Sequence, residues 1–401
     1  MTHENKLGMF IHWGAYALYG AHEQILARFD LDPVEYEKRA MTFNPKDYDP
    51  EEWVLLAKKC GMKYICFTTK HHDGFCMWDT KFTDYGIMHT PYGKDTLKML
   101  SEACKKHGML LSLYYSCPDW HHPDGYNSKS SHQWKAKNQS SDENYGNYLE
   151  FVKNQVTELL TNYGKIYTFF WDISPRIDIP EMNALIKRLQ PGIYINDRGY
   201  GKGDFSTPER DESPIGYTRF SRMTEACNSV DLSSWGYNVS PQFHSLRYLT
   251  GSIDKIMALG GSYLINVGPD ANGVITEEYT KRLLAIGAWY NKLDGALECH
   301  EAVEQDFGVC LDKCIVNRKN GNTYFHFPEG LTTDKVIMKN NMGIPKKTRL
   351  LNSDISLECK VERLPGSIGK LDVIEAVEYL TVGRIPVDDL ANEAIVVEIK
   401  W

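Results

Sequence analysis

At 401 residues the chain exceeds what one hydrophobic core usually serves, so two domains are expected. Hydrophobic residues make up 42% and charged residues 24%, which is ordinary globular composition and excludes wholesale disorder. The net charge of -8 argues against a nucleic-acid partner, because polyanion binding asks for a basic face.

In chain order, residues 7–13 (LGMFIHW) read as a short apolar strand. After a long polar stretch, Asp49-Pro50-Glu51-Glu52 supplies a cap, a first-turn proline and a capping-box glutamate, which start a helix. Trp53, Leu56, Ala57 and Cys60 give it one buried face, Gly61 ends it, and 63–69 (KYICFTT) is the next strand. The unit repeats: Asp95 opens a helix with Leu97, Leu100 and Cys104 on one face, Gly108 ends it, and 109–115 is a strand. A helix over 143–163 leads to the run 165–172 (KIYTFFWD), followed by 193–196, a helix near 245–259, strand 262–267 and a helix near 277–293. Helices alternating with near-continuous apolar strands predict parallel pairing with helices outside the sheet. About seven strands are found, one short of a (β/α)8-like (TIM-type) barrel, and the missing one is expected around 227–237. From about residue 298 the pattern changes to short alternating segments, 322–328, 334–339, 371–378 and 394–400. These predict a C-terminal β-sandwich, so the expected domains are 1–298 and 299–401.

The ten cysteines lack a CxxC or zinc spacing, and Cys60, Cys66 and Cys104 sit on apolar faces, so buried free thiols are expected. No apolar leader and no membrane-length run is seen, which gives the expectation of a cytoplasmic protein without a membrane partner.

Barrel enzymes place their chemistry at the C-terminal ends of strands. There stand His12-Trp13-Gly14, Lys70-His71-His72-Asp73 with Trp78 behind, Tyr114-Tyr115-Ser116, Trp171-Asp172, and Asn196-Asp197-Arg198 followed by Asp204 and Glu209. Aromatic faces suit the C–H face of a sugar, and His, Asn and Arg suit its hydroxyls, so the rim reads as a carbohydrate pocket. Asp172 has a plainer alternative as a helix cap or ion-pair partner, but a carboxylate leaving an apolar strand is costly without a function. His71, His72 and Asp73 could ligate a metal, yet adjacent strand residues face opposite ways unless the strand has ended, and no further ligand stands at a telling spacing. No metal and no cofactor is expected. The polar loop 117–142, with His121, His122 and Asp124, reads as a solvated rim or lid rather than a site. No phosphate-loop or GxSxG pattern is present.

The ordered motifs resemble one family along nearly the whole catalytic part. They are Gly8-Met-Phe-Ile-His-Trp-Gly14, Glu35-Tyr-Glu-Lys38, Phe43-Asn-Pro45, Lys70-His-His-Asp-Gly-Phe75 with Trp78, Thr90-Pro-Tyr-Gly-Lys-Asp95 and Tyr114-Tyr-Ser116. Trp171-Asp172, Ile195-Asn-Asp-Arg198, Gly203-Asp-Phe-Ser-Thr-Pro-Glu209, Ser234-Trp-Gly-Tyr-Asn238 and Tyr263-Leu-Ile-Asn-Val-Gly-Pro269 follow, then Asp270 and Gly273. The chain resembles glycoside hydrolase family 29, the α-L-fucosidases. That resemblance implies a retaining exo-glycosidase acting on a small carbohydrate with terminal α-L-fucose, with Asp172 as nucleophile and Glu209 as acid/base. Glu225, in Thr224-Glu225-Ala226-Cys227, is the alternative acid/base. His12, Glu23, His71, His72, Tyr114, Arg198 and Trp235 match positions that bind the sugar, and the aromatic Trp78 and Phe170 are counted with them. A homo-oligomer is compatible with this reading. Two departures stand out: Gln24 where the family usually carries tryptophan after the glutamate, and Phe170-Trp171 in place of the commoner Trp-Phe order. They bear on the leaving group more than on the reaction. The alternatives are an exo-glycosidase for a galactose-configured sugar and a catalytically silent carbohydrate-binding protein.

Overall fold

The computed structural model describes residues 7–132, 134–210, 216–298, 303, 313–340, 342–365 and 376–401. Seven strands form one wholly parallel sheet: β1 (Leu7–Ile11), β2 (Tyr64–Lys70), β3 (Leu110–Ser116), β4 (Thr168–Asp172), β5 (Tyr194–Ile195), β6 (Glu225–Ser229) and β7 (Ser262–Val267). Their order is β5-β4-β3-β2-β1-β7-β6. The strand expected around 227–237 is β6, which starts two residues earlier. Between the edge strands β5 and β6 runs the backbone of Phe205–Arg210. It makes parallel bridges from Phe205 to Asn196 on one side, and from Ser206 to Thr224 and Glu209 to Cys227 on the other.

The period of two along these strands sorts side chains into two layers. Phe10, Tyr64, Cys66, Tyr114, Phe170, Cys227 and Leu264 pack inside the curl of the sheet, where Gly8 is required because a Cβ there would stand 2.5 Å from the Tyr64 ring. Met9, Ile65, Leu113, Phe169 and Trp171 face outward into the larger core beneath the helices. The polar stretch after β1 contains two helices that the hydrophobic pattern did not single out, α1 (Ile25–Arg28) and α2 (Pro33–Ala40). The sequence-signalled α3 (Pro50–Lys59) and α4 (Thr96–His107) start at Asp49 and Asp95, whose carboxylates accept from Glu51 N at 2.8 Å and Lys98 N at 2.8 Å. Next come α5 (Tyr145–Asn162), a further unanticipated helix α6 (Pro180–Leu189), α7 (Leu246–Ala258) and α8 (Glu277–Lys292). Among the described residues no helix is long and apolar enough to cross a membrane, and each described cysteine is a free thiol.

The C-terminal part is antiparallel: β8 (Ile315–Lys319), β9 (Asn322–Phe327), β10 (Val336–Lys339), β11 (Lys347–Leu350), β12 (Ile355–Ser356), β13 (Glu358–Pro365), β14 (Ala376–Gly383) and β15 (Ile395–Lys400). The order is β12-β11-β15-β9-β8 in one sheet and β10-β14-β13 in the other. Phe325, Phe327, Val397 and Ile399 from the first sheet share one apolar cluster with Val336, Met338, Leu380 and Val382 from the second. Of the segment expected at 371–378, residues 371–375 lie outside the described residues. This part docks on the helices, with Trp289 Nε1 donating to Ala394 O at 3.0 Å and His326 meeting Asp254 at 2.8 Å in full burial.

Candidate active site

The inner-layer period that buries Phe170 also turns Asp172, two residues on at the end of β4, toward the mouth of the curled sheet. Here a cavity of about 560 Å³ opens, lined by His12, Glu23, His71, His72, Tyr114, Phe170, Asp172, Arg198, Glu209 and Trp235. Asp172 is only 8% exposed. Tyr114 OH donates to its Oδ2 at 2.7 Å and Arg198 Nη1 to its Oδ1 at 3.0 Å. Burial would raise this carboxyl, but the Arg198 guanidinium, the Tyr114 hydroxyl and His71 outweigh it and hold it below the usual carboxylate range. The same Arg198 Nη1 donates to Glu209 Oε2 at 2.7 Å, so the two carboxylate oxygens lie no farther apart than the sum of those two bonds. Thr207 fixes the guanidinium by accepting from Arg198 Nε at its Oγ1 and from Nη2 at its carbonyl, both at 2.7 Å. Ile173, next in the chain after the aspartate, is a β-branched residue held at φ 56°, strain stored at the pocket edge.

Both histidines of His71-His72 enter the pocket because β2 has ended at Lys70, and their rings lie 4.0 Å apart. The tautomers of two imidazoles follow from their partners. Asn266 Nδ2 donates to Ser229 Oγ and Trp235 O, so its Oδ1 accepts from His12 Nδ1 at 2.7 Å. Ser116 Oγ donates to Pro118 O, so it accepts from His72 Nδ1 at 2.7 Å. Burial pushes His12 down to about 4 and His72 well below its ordinary value, so both are neutral with Nε2 as a lone-pair acceptor. His71, also pushed well down by burial, has an Nδ1 with no partner among the described residues. Glu23 lies in the pocket wall with its Oε2 accepting from Ser234 Oγ, Trp235 N and Gly236 N. Burial works against its charge, but His22, His12 and these backbone bonds prevail and hold it low.

Among the described residues, His71, His72 and Asp172 are the group whose ligand atoms come within 4.8 Å of one another and could hold a metal. Both Asp172 oxygens are already engaged, one by a guanidinium 3.0 Å away, and a cation there would face that charge. The donor set suits sugar hydroxyls better.

Two expectations did not come together with the rest. Trp78 lies behind β2 in the outer layer, buried, with Nε1 donating to Glu158 at 3.3 Å, and does not line the cavity. Glu225 stands at the start of β6, at the closed floor rather than the mouth, where Tyr64 OH donates to it at 2.6 Å. Being a parallel strand's first residue puts it a strand length from the cavity mouth. Conversely, the 117–142 loop is not merely a rim: it delivers His132 to the cavity, its ring 5.2 Å from that of His72. The buried pair Lys70–Asp119 at 2.7 Å and the bond from Trp120 N to His72 O at 2.7 Å pin that loop. The sequence signal was present in Asp119-Trp120, an acid and an aromatic directly after strand β3. Arg210, after Glu209, was also missed; its guanidinium lies 4.5 Å over the Trp235 ring.

Fold and site together describe a carbohydrate-active α/β protein. The chain belongs to the α-L-fucosidase family: the family profile described as Alpha-L-fucosidase matches residues 2–294. It is similar to the tissue α-L-fucosidase of Rattus norvegicus, 26% identical over 316 residues, an alignment that covers 71% of this chain and 66% of the rat protein. Among solved structures, α-L-fucosidase isoenzyme 1 from Paenibacillus thiaminolyticus matches with TM-score 0.82 at 29% identity, covering 99% of this chain and 97% of that one. A family 29 α-L-fucosidase from Bacteroides thetaiotaomicron, trapped as a covalent intermediate with a 2-fluoro-fucosyl fluoride, matches with TM-score 0.79 at 26% identity over 99% and 94% of the chains.

Proposed function

We propose that this protein is a retaining α-L-fucosidase that releases terminal α-L-fucose by double displacement, with Asp172 as nucleophile and Glu209 as acid/base. The observation that carries this reading is the single Arg198 nitrogen bonded to both acids at 3.0 and 2.7 Å. Oxygens so joined suit the roughly 5–5.5 Å spacing of a retaining pair and leave no room for the water of an inverting pair at about 6.5–9.5 Å.

In the first step an Asp172 oxygen attacks the anomeric carbon, the bond to the leaving oxygen breaks, and protonated Glu209 gives that oxygen its proton. In the second, Glu209 takes a proton from water, whose oxygen displaces the Asp172 carboxylate. Held low by Arg198, Tyr114 and His71, Asp172 is ionised and ready to attack across the neutral range. The lone pairs at His12 Nε2 and His72 Nε2 accept from sugar hydroxyls, ionised Glu23 accepts another, and Trp235 and Phe170 offer apolar faces to the ring and its methyl group. Glu225 is read as a structural acid. On the same reading, Phe205–Arg210 acts as the eighth stave of a (β/α)8-like barrel in a catalytic domain of residues 1–298, and the two antiparallel sheets form a C-terminal β-sandwich over 299–401.

Hydrolysis of 4-nitrophenyl α-L-fucoside tests it. Asp172→Ala is expected to lose nearly all turnover, with azide restoring part of it as fucosyl azide, and Glu209→Ala to lose far more activity on poor leaving groups than on activated ones. Full activity of Asp172→Ala would remove the mechanism, and equal losses on both substrate types would take the acid/base role from Glu209.

A further inference from the structure

Among the described residues the cavity lining holds three arginines and three carboxylates, unevenly placed. In its depth three carboxylates face one guanidinium: Asp172 and Glu209 share Arg198, and Glu23 is held by His22 at 3.4 Å and by backbone N–H groups. At the mouth stand Arg28 and Arg210. Arg28, the exposed last residue of α1, donates through Nε to Gln24 Oε1 at 3.3 Å. Arg210 donates through Nη1 to Leu232 O at 2.8 Å while lying over Trp235. Among the described residues, neither arginine has a carboxylate within ion-pair distance, although acids outnumber Lys and Arg by 53 to 45 in the chain. Arg28 is held by Gln24, and Arg210 lies over Trp235, whose backbone N–H donates to the neighbouring Glu23, so they share one side of the opening. Gln24, where the family resemblance leads one to expect an aromatic platform, holds Arg28 instead and reaches His132 at 3.5 Å.

We propose that Arg28 and Arg210 form a subsite for an anionic group, a sulfate ester or a carboxylate, on the sugar that carries the fucose. This rests on the fucosidase reading and adds the class of leaving group. A guanidinium fork matches the oxygens of either anion bidentately, and its hold on Gln24 or on the Trp235 ring presents the fork with no competing acid among the described residues.

The test measures kcat/KM for fucose α-linked to N-acetylglucosamine, to its 6-O-sulfate and to glucuronic acid, with wild type, Arg28→Gln and Arg210→Gln. Wild type is expected to prefer one or both charged substrates over the neutral one by roughly three- to tenfold, with the preference fading as salt is raised. A preference confined to the sulfated sugar names sulfate as the anion, and one confined to the uronate names the carboxylate. Arg28→Gln is expected to bring the charged-to-neutral ratio toward unity. Equal wild-type values for all three at low salt, or a ratio untouched by both substitutions, would overturn the subsite while leaving the fucosidase reading in place. Failure to cleave even 4-nitrophenyl α-L-fucoside would instead strike the fucosidase reading itself.

Discussion

Asp172 and Glu209 are joined through one atom, Arg198 Nη1, which donates to the first at 3.0 Å and to the second at 2.7 Å. A guanidinium so placed favours the ionised form of each carboxylate it touches. On the roles proposed above, that suits the nucleophile permanently and the acid/base only in the second half of the cycle, so bound sugar has to draw Arg198 off Glu209 before the first proton transfer. Arg198→Met is therefore expected to lower kcat/KM by about 10- to 100-fold, the worth of a charged hydrogen bond. It is also expected to move the acid limb of the pH profile upward, because Asp172 loses the cation that holds its carboxyl low. An unshifted acid limb would mean that Arg198 does not set the charge of Asp172.

Lys70 and Asp119 form an ion pair at 2.7 Å with 0% and 2% side-chain exposure. Asp119 also accepts from His121 N at 3.0 Å and His122 N at 2.8 Å, so it fastens the loop that delivers His132. Taking away one partner leaves a buried charge alone. Asp119→Ala is expected to cost about 3–5 kcal/mol of stability, read as a clear fall in thermal midpoint. A midpoint within a degree or so of wild type would show the pair to be dispensable.

Glu225 is fully buried, and burial pushes it from an ordinary 4.5 up to about 7. A carboxyl whose folded pKa is raised binds a proton in the folded state that the unfolded chain has already released, so its contribution declines as pH rises from 4.5 to about 7. The loss over that window is about 3 kcal/mol. Glu225→Gln is expected to gain on wild type in thermal midpoint as pH rises through that window and to keep its activity on poor leaving groups. A parallel pH dependence of both proteins would refute the buried-acid reading, and a selective loss on poor leaving groups would return the acid/base role to Glu225.

Much of this was legible in the residues. Asp49 and Asp95 with their following turns announced α3 and α4, and the apolar runs of β2, β3 and β7 stood out because parallel strands are buried on both faces. Asp172 was legible for the same reason, an acid at the end of such a run. The helices α1, α2 and α6 were not singled out, because short amphipathic segments in polar surroundings give weak periodicity. That Trp78 and Glu225 lie away from the cavity was not legible, because local sequence does not say which end or which layer of the sheet a residue faces. Register decides that: Glu225 pairs with Ser262 at the start of β7, and Trp78 lies beyond the end of β2. His132 and Arg210 were missed because each reaches the cavity from a segment whose path is set by contacts distant in sequence, Asp119 for one and the backbone pairing of Glu209 with Cys227 for the other.

Trp78 gives a simple check on that distinction. Trp78→Phe shrinks the fully buried indole to a phenyl ring and removes the bond to Glu158, so it is expected to lower the thermal midpoint by several degrees while KM for 4-nitrophenyl α-L-fucoside stays within about twofold. A large rise in KM with unchanged stability would place the indole in contact with the sugar after all.

The most direct measurement is the identity of the residue that carries the sugar between the two displacements. Incubation with 2-deoxy-2-fluoro-fucosyl fluoride slows the second displacement, and proteolysis with mass spectrometry then locates the adduct. One fucosyl group on the peptide containing Asp172, absent from Asp172→Ala, is the expected result; an adduct on Glu209, Glu23 or any other residue would contradict it.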